Sequence, residues 1–162
     1  LFETNRCLIQ TFGKFDFKDV RKLYLNPEVR KFLGGIKQEE SIPKVLEYML
    51  NPDADSYYWV VREKDTELFM GLVSLDPHHD GDYLEISYQF SPGWWGRGYG
   101  AEVVERVINY GLHELKLSKV VAETQTANIA SCRLLESLGM DLERTISRFG
   151  AEQAIYSMKS SI

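Results

Sequence analysis

Apolar and polar positions along this chain follow two rhythms, one of period two and one of period three to four. The switches between them mark its elements. Arg6 to Phe12 alternates, with Leu8, Gln10 and Phe12 on one face and Cys7, Ile9 and Thr11 on the other, and predicts a strand. A helix follows, with Asp16 as its expected N-cap, Val20, Leu23 and Tyr24 as its apolar positions, and Asn26-Pro27 as its stop. After a loop containing Gly34-Gly35, Ser41 to Leu50 predicts a second helix, with Pro43 in its first turn and Val45, Leu46, Met49 and Leu50 apolar. Tyr57 to Arg62 and Leu68 to Leu75 read as strands joined through Lys64-Asp65-Thr66. Tyr83 to Phe90 alternates most cleanly: Leu84, Ile86, Tyr88 and Phe90 against Tyr83, Glu85, Ser87 and Gln89. Ala101 to Leu115 carries Val104, Val107, Ile108, Gly111, Leu112 and Leu115 at helical spacing. Lys119 to Thr124 is a β-branched strand, and Asn128 to Leu138 is a helix with Gly139 just past its end. Leu142 to Arg148 and Ala154 to Met158 close the chain as a hairpin around Phe149-Gly150.

The order is β-α-α-β-β-β-α-β-α-β-β, an α/β (α+β) pattern of seven strands that predicts a mixed sheet with helices packed on it. The chain has 162 residues, 44% of them hydrophobic and 27% charged, which fits a single domain, 1–162, with its own core.

Between the cleanest strand and the longest helix lies Ser91-Pro92-Gly93-Trp94-Trp95-Gly96-Arg97-Gly98-Tyr99-Gly100-Ala101. Strand, glycine-rich turn and helix start build an anion site. Glycine permits positive φ and close approach, and the free N–H groups of the helix start face the ligand. The expected guest is a phosphate or pyrophosphate; the alternative is a tight turn with no ligand. Gly96, Gly98 and Gly100 do not reproduce the dinucleotide fingerprint, and no Gly-Lys-Ser/Thr of a Walker loop occurs.

This turn, together with Asn128-Ile129-Ala130-Ser131 and Glu136-Ser137-Leu138-Gly139-Met140, resembles the GCN5-related N-acetyltransferase (GNAT) superfamily. It looks most like the branch containing the ribosomal-protein N-terminal acetyltransferases (RimJ/RimL-like). Gly98 and Gly100 match the last two fixed positions of that family's turn, and Trp95 stands where it has Gln or Arg. The resemblance covers nearly the whole chain. It implies a single GNAT-like domain with a mostly antiparallel, seven-stranded sheet and helices on both faces. The central strands, Tyr83–Phe90 and Lys119–Thr124, would splay apart. It implies acetyl-CoA as cosubstrate and no metal. The donor would be bound by Gln89, Phe90, Ser91, Trp95, Gly96, Arg97, Gly98, Tyr99, Gly100, Ala101 and Asn128, and the acceptor would be a protein N-terminus or a small-molecule amine.

Attack of an amine on a thioester needs a base for the amine, a donor to the carbonyl oxygen and an exit for the thiolate. Glu85, on the polar face of the strand before the turn, is the candidate base; its alternative is a solvated or ion-paired strand residue. Glu143 is a second, weaker choice. By the resemblance, Ser131 assists the departing sulfur; otherwise it is a first-turn serine bonding back to the Asn128 backbone. Asn128 caps its helix and, by the resemblance, also bonds the pantetheine arm. The carbonyl donor would be a backbone N–H near Gln89 to Ser91. His78-His79-Asp80 fits no zinc spacing and reads as a hairpin tip, and His113 as a surface residue. Trp94 and Trp95 either line the donor's arm or pack the turn, and Arg97 either pairs with a phosphate or points to solvent.

The net charge is −5 and no basic run occurs, which disfavours nucleic-acid binding. No apolar run approaches the length of a membrane span and no secretory leader is recognisable. Two distant cysteines, Cys7 and Cys132, suggest reduced thiols and a cytoplasmic setting. A monomer or homodimer is expected. The rival to catalysis is a domain of the same fold that binds CoA without turnover, as a sensor or interaction module.

Overall fold

A computed structural model describes residues 2–161. One mixed sheet of eight strands runs in the order β1-β2-β3-β4-β5-β6-β8-β7. The strands are β1 Phe2–Glu3, β2 Cys7–Thr11, β3 Tyr57–Glu63, β4 Phe69–Pro77, β5 Leu84–Phe90, β6 Lys119–Gln125, β7 Asp141–Arg148 and β8 Ala151–Lys159. The expected seven become eight because Phe2 and Glu3 pair with Ile9 and Leu8. Two residues carry no readable period, so this strand exists only through its partner.

Strands β3 and β4 feed two cores by alternation. Trp59 and Val61 of β3 join the larger core, while Val60 joins the smaller one on the opposite face. The larger core lies under α4 Tyr99–Asn109 and α5 Ile129–Ser137; the smaller lies under α1 Phe17–Tyr24, α2 Pro27–Arg30 and α3 Ile42–Leu50. Asn26-Pro27 ends α1 and also starts α2, because Asn26 accepts from the N–H groups of Glu28 and Val29. Asp16 precedes α1 without a side-chain cap bond. Its carboxylate instead accepts from Gly13 N–H at 2.9 Å and from Arg62 at 2.7 Å, tying the turn to β3. The long helix keeps its apolar face to the end of the predicted span, but its last part, Tyr110–Glu114, widens to a π-helical turn. The closing hairpin turns through Phe149 (φ 56°) and Gly150 (φ 74°), both positive, as a two-residue turn of strongly twisted strands requires.

The feature that positions the site is the junction of β5 and β6, the parallel pair in an otherwise antiparallel sheet. Only Leu84–Val120 and Glu85–Val121 are paired there. On their outer sides both strands stay paired, β5 with β4 from Leu84 to Phe90 and β6 with β8 from Lys119 to Gln125. Beyond Glu85 and Val121 the two strands therefore part, as the splay expectation required. Gly71 of β4 supports this geometry. A Cβ there would lie 2.3 Å from the Gln89 carbonyl oxygen and 2.9 Å from the Phe90 ring. Gly71→Ala is expected to push β5 outward and cost about 1–3 kcal/mol. At this size that is a fall of roughly 2–4 °C in Tm per kcal/mol, read by calorimetry; an unchanged Tm would show that β5 yields freely.

Candidate active site

The glycine turn folds as an αL-punctuated bridge from β5 into α4. Ser91 N–H donates to Met70 O at 2.8 Å, which fixes the strand's exit. Gly96 (φ 75°) and Gly98 (φ 80°) take the left-handed conformation, and Gly98 is the residue before the first turn of α4. The N–H groups of that first turn have no intrahelical acceptor, so the turn presents donors outward. Gly93 and Gly96 have open space where a Cβ would stand. Gly100 is different. A Cβ there meets Leu134 Cδ1 at 3.1 Å, so this glycine serves the packing of α4 on α5.

The two tryptophans clamp the turn to the sheet. Trp94 Nε1–H donates to Phe69 O at 3.2 Å and Trp95 Nε1–H to Phe90 O at 2.8 Å. Trp95 keeps 48% of its surface exposed beside the opening. Arg97 folds back to donate to Gly93 O and lies over the Trp94 ring. Arg6 braces the turn from below. Its guanidinium lies 3.9 Å from the centroid of the buried Tyr99 ring, donates to Arg97 O at 3.1 Å, and pairs with Glu102 at 2.8 Å. Ser91 to Ala101 is thus one structural unit held by residues of β4, β5 and the β1–β2 turn.

On the α5 side, Asn128 Oδ1 accepts from Ser131 N–H at 3.2 Å, the expected N-cap. The Ser131 hydroxyl does not return to this backbone; it lies 2.7 Å from the Tyr88 hydroxyl. Alternation alone puts Tyr88 on the apolar face of its strand and assigns it no role. It is the one hydroxyl in the Leu84-Ile86-Tyr88-Phe90 row, which is the signal that marks it. Burial raises its pKa, against the hydrogen bond to Ser131.

Glu85 lies on the opposite face, at the last paired position before the strands part. Its Oε2 accepts from Glu123 N–H at 3.3 Å. Burial, joined by the nearby charge of Asp76, pushes its carboxyl up to about 8. Asp76 stands directly across in β4, and its carboxylate accepts from Tyr58 OH at 3.0 Å. Along the same row, Gln89 Oε1 accepts from Arg30 at 3.3 Å, and Arg30 also donates to Leu33 O and Gly35 O, drawing the loop after α2 over the row. Glu143 is elsewhere, ion-paired to Lys119 at 2.6 Å, which holds its carboxyl below the usual range.

His78 lies in the expected turn after β4 but is buried there. Only 5% of its surface is exposed, and its Nε2 lies 2.7 Å from Glu123 Oε1. His79 does lie at the tip, edge-on to the exposed Phe149. His113 is exposed on the helix. No group of three or more His, Cys, Asp or Glu residues among the described residues is arranged to hold a metal ion. A cavity of about 220 Å³ lies at the far end of β5 and β6, among Asp55, Tyr83 and Lys119, away from the opening. Among the described residues no helix is long and apolar enough to cross a membrane.

The sheet parts beside the glycine turn, with the half-buried Glu85 carboxyl on one face of the opening and the Ser131–Tyr88 pair on the other. Solved structures share this fold over almost their whole length. The spermidine N-acetyltransferase of Vibrio cholerae in complex with CoA and spermine superposes with a TM-score of 0.82 at 16% identity, covering 96% of both chains. The ribosomal-protein-S5-alanine acetyltransferase of Vibrio fischeri superposes with 0.79 at 15% identity, covering 99% of this chain and 96% of that one. In sequence, the uncharacterized N-acetyltransferase YoaA of Bacillus subtilis is 27% identical over 157 residues, 92% of this chain and 87% of its own. The family model described as "Acetyltransferase (GNAT) domain" matches residues 6–141, and the chain belongs to that family. The family's acyl donor is acetyl-CoA.

Proposed function

We propose that this chain transfers the acetyl group of acetyl-CoA to a primary amine by direct attack, and that its acceptors are those of the RimJ/RimL-like branch, amines with the character of a protein N-terminus. The observation that carries this is Glu85. It is a carboxyl at the mouth of the splayed strands whose burial brings its affinity for protons close to that of an α-amine.

The glycine turn and the start of α4 would hold the donor's phosphates, with the backbone of Gln89 to Ser91 beside the opening. When bound, acetyl-CoA supplies an activated thioester. Glu85 takes the proton from the amine. As the C–S bond breaks, Ser131, bonded to Tyr88 at 2.7 Å, would donate a hydrogen bond to the departing CoA thiolate, and Asn128 caps the helix that carries it. Trp95 keeps the Phe90 carbonyl occupied, so that the backbone pairing left for the donor falls to its neighbours. The setting expected of such an enzyme is the cytoplasm.

The test is release of free thiol from acetyl-CoA with a panel of N-terminal peptides, polyamines, aminoglycosides and amino acids. Turnover with at least one amine is expected. Binding of acetyl-CoA, read as a rise in Tm, with no turnover across the panel would favour a non-catalytic CoA-binding domain instead.

A further inference from the structure

Glu123 stands on β6 two residues beyond the last β5–β6 pair, on the same face as Val121 and hence as Glu85. Past that pair, the N–H groups of β6 that face β5 have lost their strand partner. The N–H of Glu123 donates to the Glu85 carboxylate instead. The Glu123 side chain is itself 6% exposed and engaged at both oxygens. Oε1 lies 2.7 Å from His78 Nε2, and Oε2 lies 3.2 Å from Arg148 Nε. The Arg148 contact is charge against charge, because that Nε makes no directed hydrogen bond.

The anchors are anchored in turn. His78 N–H donates to Tyr83 O at 2.9 Å. His78 Nδ1 lies 3.5 Å from both the Asp80 N–H and Asp80 Oδ2, so the ring is held from one side by Asp80 and faces Glu123 with Nε2. Asp80 also pairs with Arg144 and Arg148 of β7. The β4–β5 turn and the β7–β8 hairpin therefore converge on one buried carboxylate, and that carboxylate's backbone holds Glu85.

We propose that Glu123 is a positioning residue of the acetyl-transfer site: clamped by His78 and Arg148, it holds the Glu85 carboxyl where β5 and β6 part and sets the charge which that carboxyl meets. The proposal rests on Glu85 being the base. The groups that face Glu85 are Asp76 from β4, Glu123 from β6 and Arg148 from β7. Asp76 is itself bonded to Tyr58 of β3 and feels His79 and Asp55. The anions at 76 and 123 disfavour a charged Glu85, and the cation at 148 favours it.

The two neighbours consequently carry opposite signs. Glu123→Gln keeps the backbone N–H and the side-chain shape but removes an anion. The acid limb of the kcat/KM–pH profile should move to lower pH, by roughly one unit. Arg148→Gln removes the cation and should move the same limb to higher pH, by less, because Arg148 is nearer the surface. A purely structural role would lower rate or stability without moving the limb in opposite directions.

The series is completed by Glu85→Gln, with each variant's fold checked by circular dichroism and melting. Opposite displacements support the proposal. A limb that stays in place in both folded variants, while Glu85→Gln abolishes it, overturns the proposal and leaves Glu85 as base. A Glu123→Gln enzyme that loses the limb entirely, with a rate loss as deep as that of Glu85→Gln, makes Glu123 the base and overturns the positioning role. A Glu85→Gln enzyme with full rate and an intact limb overturns the reading underneath. If Glu123→Gln does not fold, the direction of the Arg148→Gln displacement decides alone.

Discussion

Glu85→Gln is expected to lower kcat by about 10²-fold or more and, at the same time, to stabilise the fold at alkaline pH. Both effects come from the same burial. A carboxyl raised to about 8 is mostly protonated at pH 7 and accepts a proton only from its ionised form, so wild-type turnover should climb with pH through about 8. The stability sign is opposite to that of an ordinary salt-bridged acid. Unfolded, Glu85 ionises near its ordinary value of 4.5; folded, it resists ionisation until about 8. Between these values the native state binds the extra proton, and stability falls as pH rises. Above about 8 the cost is fully present and no longer grows; below about 4.5 it is absent. Gln removes it. The Tm difference between Glu85→Gln and wild type should therefore be small at pH 4.5 and largest near pH 9, where the variant gains on the order of a few kcal/mol. A lower Tm for the variant at pH 9 would show Glu85 to be a structural ion-pair member. Full turnover across pH 6 to 9 would place the base elsewhere.

This site was legible in sequence where its logic is local. The turn from Ser91 to Ala101 is marked by glycines, and Gly96 and Gly98 do take the positive φ that only glycine adopts cheaply. Alternation put Glu85 on the polar face of β5, and Asn128 announced the start of α5. What could not be read was anything set by contacts distant along the chain. His78 does lie in the turn, but its burial could not be read because its partner, Glu123, lies 45 positions away. Tyr88 looked like core because Ser131 is 43 positions away. Asp16 looked like a helix cap because its true partner, Arg62, comes from β3. That the missing Cβ of Gly100 also makes room for Leu134 could not be read either, because the two are 34 positions apart. The added edge strand had the same cause: Phe2 and Glu3 are a strand only by pairing with β2. Above all, the burial that lifts Glu85 is a property of the assembled face, and no residue beside it in sequence foretells it.

Peptides with a free N-terminus are expected to be acetylated roughly 10²-fold faster, in kcat/KM near pH 7, than the same peptides blocked at the N-terminus and carrying lysine. The nucleophile must be a neutral amine. An α-amine of pKa about 7.7–8.0 is neutral to the extent of roughly 10% at pH 7, whereas a lysine amine near 10.4 is neutral to about 0.04%. The same proton cost can be expressed relative to Glu85 and adds no second factor. A base raised to about 8 accepts a proton from an α-ammonium on nearly level terms, but taking one from a lysine ammonium is uphill by more than two pH units. An ordinary carboxylate would be poorly matched to both. Asp76 and Glu123 beside Glu85 would favour a bound ammonium electrostatically, but they act on either amine and do not discriminate between them. Discrimination therefore rests on proton affinity, and it should shrink as pH rises and the lysine amine is deprotonated by solvent. Initial rates of both peptide sets at pH 7, 8.5 and 10 measure this. A ratio that narrows with pH is the expected outcome. Equal or faster acetylation of the blocked lysine peptides at pH 7 would mean that the site lowers the acceptor's own pKa by desolvation, and would replace the N-terminal reading with a side-chain one. Activity confined to an alkyl polyamine, whose amines are lysine-like, would carry the same implication for a small-molecule acceptor.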